Sequence, residues 1–190
     1  MNKILNNNQQ WLAISLIAAM LLTRFHHFGS ALSLPDASLA VFFFAGFYSR
    51  QFLLPLLMLE AVLIDYIAIS NGTSGWCVSP AYVFLIPTYA VMWGAGKFTQ
   101  ALNNSATKNA LISAAFVISA TTLAFLISNG SFYLFSGKFD AMLITEYSSK
   151  VMHYYPAYIS STLIYTLCGF AIRAFVIKLS KPTITSNRTI

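Results

Sequence analysis

The chain opens on a polar stretch rich in Asn and Gln, then turns apolar at Trp11 and stays so to Phe25. Five more apolar blocks follow, separated by short polar breaks. A helix rises about 1.5 Å per residue and needs about 20 residues to cross roughly 30 Å of hydrocarbon. On that measure the pattern predicts an all-α, polytopic membrane protein with six transmembrane helices in one domain over 1–190. The spans fall at approximately 11–28, 34–48, 51–69, 80–95, 110–128 and 156–178. The first block is read as a retained helix and not as a signal peptide. Only Lys3 precedes it, and no small-residue cleavage site follows.

The breaks have local causes. Arg24, His26 and His27 close the first helix, and Gly29 and Ser30 begin a connection. Ser33-Leu34-Pro35-Asp36 reads as a helix start, with a hydroxyl cap, Pro in the first turn and an acid at the positive dipole end. Arg50 and Gln51 mark a tight turn. The stretch from Asn71 to Ser79 is a Gly/Ser/Thr loop holding Trp76 and Cys77. Pro80 opens the fourth helix, with a kink expected near Pro87. Residues 97–108 form a polar connection and 129–155 a longer loop, and Pro156 opens the last helix before a polar tail.

Composition agrees with this pattern. Hydrophobic residues make up 57% of the chain and charged residues 8%, against about 25% charged in an average soluble domain. That excludes a disordered chain, an ordinary water-soluble globule and a nucleic-acid-binding domain. The net charge of +6 therefore reports orientation first. Lys3, Arg50, Lys97, Lys108, Arg173, Lys178, Lys181 and Arg188 share one side of a six-span topology, against Arg24, Lys138 and Lys150 on the other. Both termini are expected in the cytoplasm. The two cysteines form no CxxC pair, and no Walker, HExxH, GxSxG or GxGxxG motif occurs.

This topology gathers candidate chemistry on the outer side. His26 and His27 end the first helix there and Asp36 begins the second. Asp65 and Tyr66 lie in the last turns of the third, and Trp76, Cys77 and Tyr82 follow. The fifth connection adds Tyr133, Asp140, Glu146, His153, Tyr154 and Tyr155. Tyr and Trp at helix ends are commonly an interfacial belt, and Asp36 has a reading as a helix-start residue. Asp65 is more telling, because a carboxylate within a span is costly and is generally paired or functional. Glu60, deeper in the same helix, raises the same question. Cys168, well inside the sixth helix, reads as a small core residue.

Two stretches carry a resemblance: RFHHFGSALSLPDASLAVFFFAGFY, from Arg24 to Tyr48, and WCVSPAYVFLIPTYAVMWGAGK, from Trp76 to Lys97. They resemble BtuM-type cobalamin transporters, which are similar to the substrate-binding S-components of energy-coupling-factor vitamin transporters. The likeness covers most of the first four helices; the carboxy-terminal third matches in pattern only. The resemblance implies cobalamin uptake across the bacterial inner membrane, with Cys77 as an axial ligand to cobalt in a periplasm-facing pocket. It implies that His27 or His26, Asp65 and Tyr82 line that pocket, with aromatic loops carrying Trp76 and Tyr154 over the corrin edges. In the family thiolate ligation is linked to removal of the upper cyanide of cyanocobalamin. S-components that dock on an energising module usually carry Ala-x-x-x-Ala in the first helix. Here Ser15 and Ala19 hold the nearest spacing, which leaves open both docking on an energising module as partner and the action alone that the resemblance to BtuM-type proteins implies.

Cobalamin and the lipid bilayer are thus the expected partners, and nucleic acid is not. A binding subunit for another vitamin is the alternative within the same fold, and it would make Cys77 incidental. A haem- or metal-handling membrane protein using His26, His27 and His153 is the alternative outside it, and a purely structural membrane subunit the plainest one. Histidines that bind haem between helices would be expected inside spans.

Overall fold

The structure is a computed structural model that describes residues 7–24, 35–48, 51–72, 74–102 and 106–179. Among these residues there are helices and no strands. In chain order they are α1 (Asn7–Arg24), α2 (Ser38–Phe47), α3 (Leu53–Ser70), α4 (Leu85–Ala101), α5 (Ala106–Phe135), α6 (Ile144–Met152) and α7 (Tyr155–Leu179). Two 3₁₀ turns, Gly75–Cys77 and Pro80–Phe84, join α3 to α4.

Leu53–Ser70, Leu111–Phe135 within α5 and Tyr155–Leu179 are long and apolar enough to cross a membrane. Their outward faces expose Leu59, Leu63, Leu126, Leu167 and Phe175, side chains that lipid covers at no cost. With so few charges along the chain, these faces mark a membrane protein.

The second expected span departs most from expectation. In place of a helix over 34–48 there are 10 helical residues, about 15 Å, or half the hydrocarbon thickness. The cause is local. The Asp36 carboxylate accepts from both the backbone N–H (2.9 Å) and the hydroxyl (2.6 Å) of Ser38, a turn that delays the helix start. Every residue of α2 is buried, so it is the core about which the other helices pack. Phe43, Phe44 and Phe47 meet one another and Phe170 of α7 at ring centroid distances of 5.3–6.4 Å.

Glycine lets α2 and α4 approach. A methyl at Gly46 would overlap the Trp93 backbone, and one at Gly96 would overlap the backbone of Phe43 and Phe47. Small residues of this kind bring helix backbones together where lipid supplies no hydrophobic drive between helices.

The carboxy-terminal half also differs from the sequence pattern. α5 runs on to Phe135 instead of ending near 128, and α6 occupies much of the expected loop over 129–155. Tyr147, the buried residue of α6, donates its hydroxyl to the Asn129 carbonyl at 2.9 Å and packs on Tyr133 and Phe139. Burial pushes its phenol pKa above the ordinary range. Pro87 sits in the first turn of α4, where a missing N–H costs nothing, and the chain changes from 3₁₀ to α at Leu85, two residues before it.

Candidate functional site

A hydrogen-bonded polar cluster lies at one end of the bundle, where α1 ends, α2 begins, α3 nears its end and α4 begins. Arg24, the last residue of α1, is only 8% exposed, and Asp65 of α3 is 7% exposed. The two form a forked pair: Arg24 Nε donates to Asp65 Oδ1 at 2.7 Å and Nη2 to Oδ2 at 2.6 Å. The remaining amino group, Nη1, donates to the Ser38 hydroxyl at 3.2 Å and the Tyr89 hydroxyl at 2.6 Å. Asp36 Oδ2 lies 3.7 Å from the same nitrogen.

This arrangement answers the cost of a charge in an apolar bundle. A buried ion pair is tolerated where the geometry is bidentate and the remaining donors are satisfied. The planar fork of arginine meets both conditions here, and a lysine would not. Arg24 also stands at the negative dipole end of α1, which favours a cation. Tyr89 is fixed by stacking on Phe42, with centroids 4.1 Å apart and planes 10° from parallel.

Asp65 has a second partner. The Tyr82 hydroxyl donates to Oδ2 at 2.6 Å, which ties the 3₁₀ turn Pro80–Phe84 to the ion pair. Immediately before it lies the turn Gly75–Cys77, capped by the Ser74 hydroxyl, which accepts from the Trp76 N–H at 3.3 Å. The Val78 N–H donates to the Gly75 carbonyl and the Tyr82 N–H to the Ser79 carbonyl, at 2.9 and 2.8 Å. From the other side Lys138 donates to the Trp76 carbonyl, and its ammonium lies 3.7 Å from the centre of the Trp76 ring. Phe84 stacks on Phe135 of α5 at 4.9 Å. The backbone of Cys77 is thus held between two anchors, one ionic and one on the loop that follows α5; its side chain lies outside the description.

Next to this cluster an apolar recess of about 300 Å³ opens between α3 and α4, lined by Met58, Ala61, Tyr82, Leu85, Ile86 and Tyr89. That is the lower end of the range for ligand cavities. Glu60 of α3 is a separate oddity. Both carboxylate oxygens are out of solvent and find no donor among the described residues, so the hydrogen-bonding role open to it in the sequence is not filled by them.

The candidates singled out from the sequence divide as follows. Asp65 and Tyr82 are brought into direct contact. Trp76 is 57% exposed beneath Lys138. Tyr154 is 66% exposed at the corner between α6 and α7, its ring edge-on to His153 at 5.7 Å. His26 and His27 lie outside the described residues, although the chain on either side of them is tied together: the Ala37 N–H donates to the Thr23 hydroxyl at 3.2 Å. Arg24, Ser38 and Tyr89 are the residues that the sequence reading passed over. Arg24 served there as an end of the first helix and a mark of orientation, and the signal it carried was its position at the same end of the bundle as Asp65.

Among the described residues no three of His, Cys, Asp and Glu group together as a metal site. A metal already held in a macrocycle needs one axial donor, so this observation bears on a free metal ion and not on a corrinoid. Compared with models of known protein families and with curated proteins, the chain matches none.

Proposed function

We propose that this chain takes up cobalamin across the bacterial inner membrane, with the Cys77 thiolate bound to cobalt as an axial ligand. The observation that carries the reading is a single soft donor on a braced turn. Cys77 follows Trp76, which Lys138 holds, and stands five positions before Tyr82, which Asp65 holds. A corrin ring supplies four equatorial nitrogens, so one thiolate completes an axial site. A thiolate is a soft ligand suited to late transition metals, and coordination ionises it.

The rest of the reading follows from size and orientation. A corrinoid with its nucleotide arm is several times larger than the recess between α3 and α4. It would lie across the end of the bundle, over the Cys77 turn, with Asp65 and Tyr82 beneath it and Trp76 and Tyr154 at its edges. The proposed topology has six spans and both termini in the cytoplasm, with α1, α2 and its flanks, and α4 completing the set. Cys77 then faces the periplasm. Ser15, exposed on α1, donates its hydroxyl to the Leu12 carbonyl at 2.9 Å; the proposal is uptake without an energising module, which the growth test below addresses.

Two measurements test the proposal. Purified protein incubated with cobalamin should hold a coloured corrinoid whose visible spectrum changes on Cys77→Ala; protein that stays colourless defeats the reading. In a bacterium that lacks its own cobalamin importer and energising module and needs cobalamin for methionine synthesis, the chain should restore growth at low cobalamin. Growth rescued equally by Cys77→Ala would leave uptake standing and remove the thiolate from it.

A further inference from the structure

Among the described residues no direct contact joins Arg24 to the Cys77 turn, yet the chain of contacts leading there is short. Its guanidinium grips both oxygens of Asp65. One of those oxygens, Oδ2, receives the Tyr82 hydroxyl. Tyr82 is the middle residue of the 3₁₀ turn Pro80–Phe84, whose N-cap Ser79 stands two residues after Cys77. We infer that Arg24 is a positioning residue for the Cys77 segment: through Asp65 and Tyr82 it sets where the stretch from Ser74 to Phe84 lies against the bundle.

Three observations favour this role over a merely stabilising ion pair. The carboxylate is shared, so Asp65 can hold Tyr82 at 2.6 Å only while its own position is fixed. The fork fixes it in two directions at once, which a point charge cannot do. The guanidinium is itself held by Ser38 of α2 and Tyr89 of α4, and Tyr89 is locked on Phe42. The position of the fork is therefore referred to the buried core and not to a surface loop. A single side chain thus connects the rigid α2–α4 centre to the segment that carries the thiol. Any effect of this on corrinoid affinity rests on the function proposed above. The positioning of the segment does not, and it is measured without ligand.

The test is amide hydrogen exchange of the full-length protein in detergent micelles, with no corrinoid present, comparing Arg24→Gln, Arg24→Lys and Tyr82→Phe with the unaltered chain. The amides of Val78 and Tyr82, bonded to Gly75 and Ser79, report on the segment. In Arg24→Gln their exchange should quicken about tenfold while amides in α5 and α7 keep their protection. Tyr82→Phe, which leaves the ion pair whole, should reproduce the local change. Arg24→Lys keeps the charge and reaches one carboxylate oxygen, and should recover part of the protection. Unchanged exchange at Val78 and Tyr82 in a folded Arg24→Gln protein overturns the inference, as does an equal rise in every helix. Should Arg24→Gln fail to yield folded protein, Tyr82→Phe decides alone, and unchanged segment exchange in that variant overturns the inference. Loss of corrinoid binding in Cys77→Ala with the exchange pattern intact separates this inference from the proposed function.

Discussion

The two ends of α2 are held in opposite ways. Towards its carboxy terminus, Gly46 lies against the Trp93 backbone and Gly96 of α4 against Phe43 and Phe47, with aromatic rings filling the surrounding space. At its amino terminus, Ser38 takes part in a charged cluster whose members belong to four helices, the 3₁₀ turn Pro80–Phe84 and the turn just before α2. Close packing tolerates the loss of one contact, because each atom pair contributes little and many remain. The ionic cluster is interdependent: removing one partner leaves a bare charge away from water. One end of the helix is robust and unspecific, and the other is fragile and exact in its geometry, which is what a site for a ligand needs.

The largest effect that tests this contrast is Arg24→Met. Stranding Asp65 should cost about 3–5 kcal/mol, read as a fall in thermal midpoint by circular dichroism in detergent. The double variant Arg24→Met/Asp65→Leu removes both charges and should regain most of that stability. If the single variant loses no more than a packing variant, the two ends of α2 do not differ in kind. A smaller loss, about 1–3 kcal/mol, is expected for Gly96→Ala, whose methyl must force α2 and α4 apart. Tyr82→Phe deletes one hydrogen bond to a carboxylate that keeps its arginine, and should cost roughly 1 kcal/mol by the same measurement. Smallest is Lys150→Ala. Its 2.8 Å pair with Glu146 on α6 is exposed, and its loss should stay within about 0.5 kcal/mol. A large effect there would mean that α6 matters to stability as the charged cluster does.

Much of the architecture was legible in the sequence because apolar runs of sufficient length have few alternatives to a membrane-crossing helix. α3 and α7 begin and end close to where the runs do. The length of α2 was not legible. Nothing in the apolar stretch around Phe42 to Phe44 tells a helix that meets lipid from one enclosed by protein, and the Asp36–Ser38 turn that shortens it is a side-chain event. α6 was hidden because a short amphipathic stretch with Glu146 and Lys150 reads as a polar loop. At the candidate site, Asp65 stood out because a carboxylate inside an apolar run demands an explanation. Its partner Arg24 is 41 positions earlier. Periodicity carries no information over that separation, and Tyr89 looked like one more aromatic on an apolar helix.

The brevity of α2 has a consequence for biogenesis. A helix of 10 residues covers only about half the hydrocarbon thickness, so it spans only together with its flanks, and its apolar surface is covered by protein and not by lipid. Its enclosure needs both Leu85–Ala101 and Tyr155–Leu179, made later in synthesis. The aromatic centre of the molecule is therefore complete only when α7 brings Phe170 against Phe43, Phe44 and Phe47, near the end of synthesis.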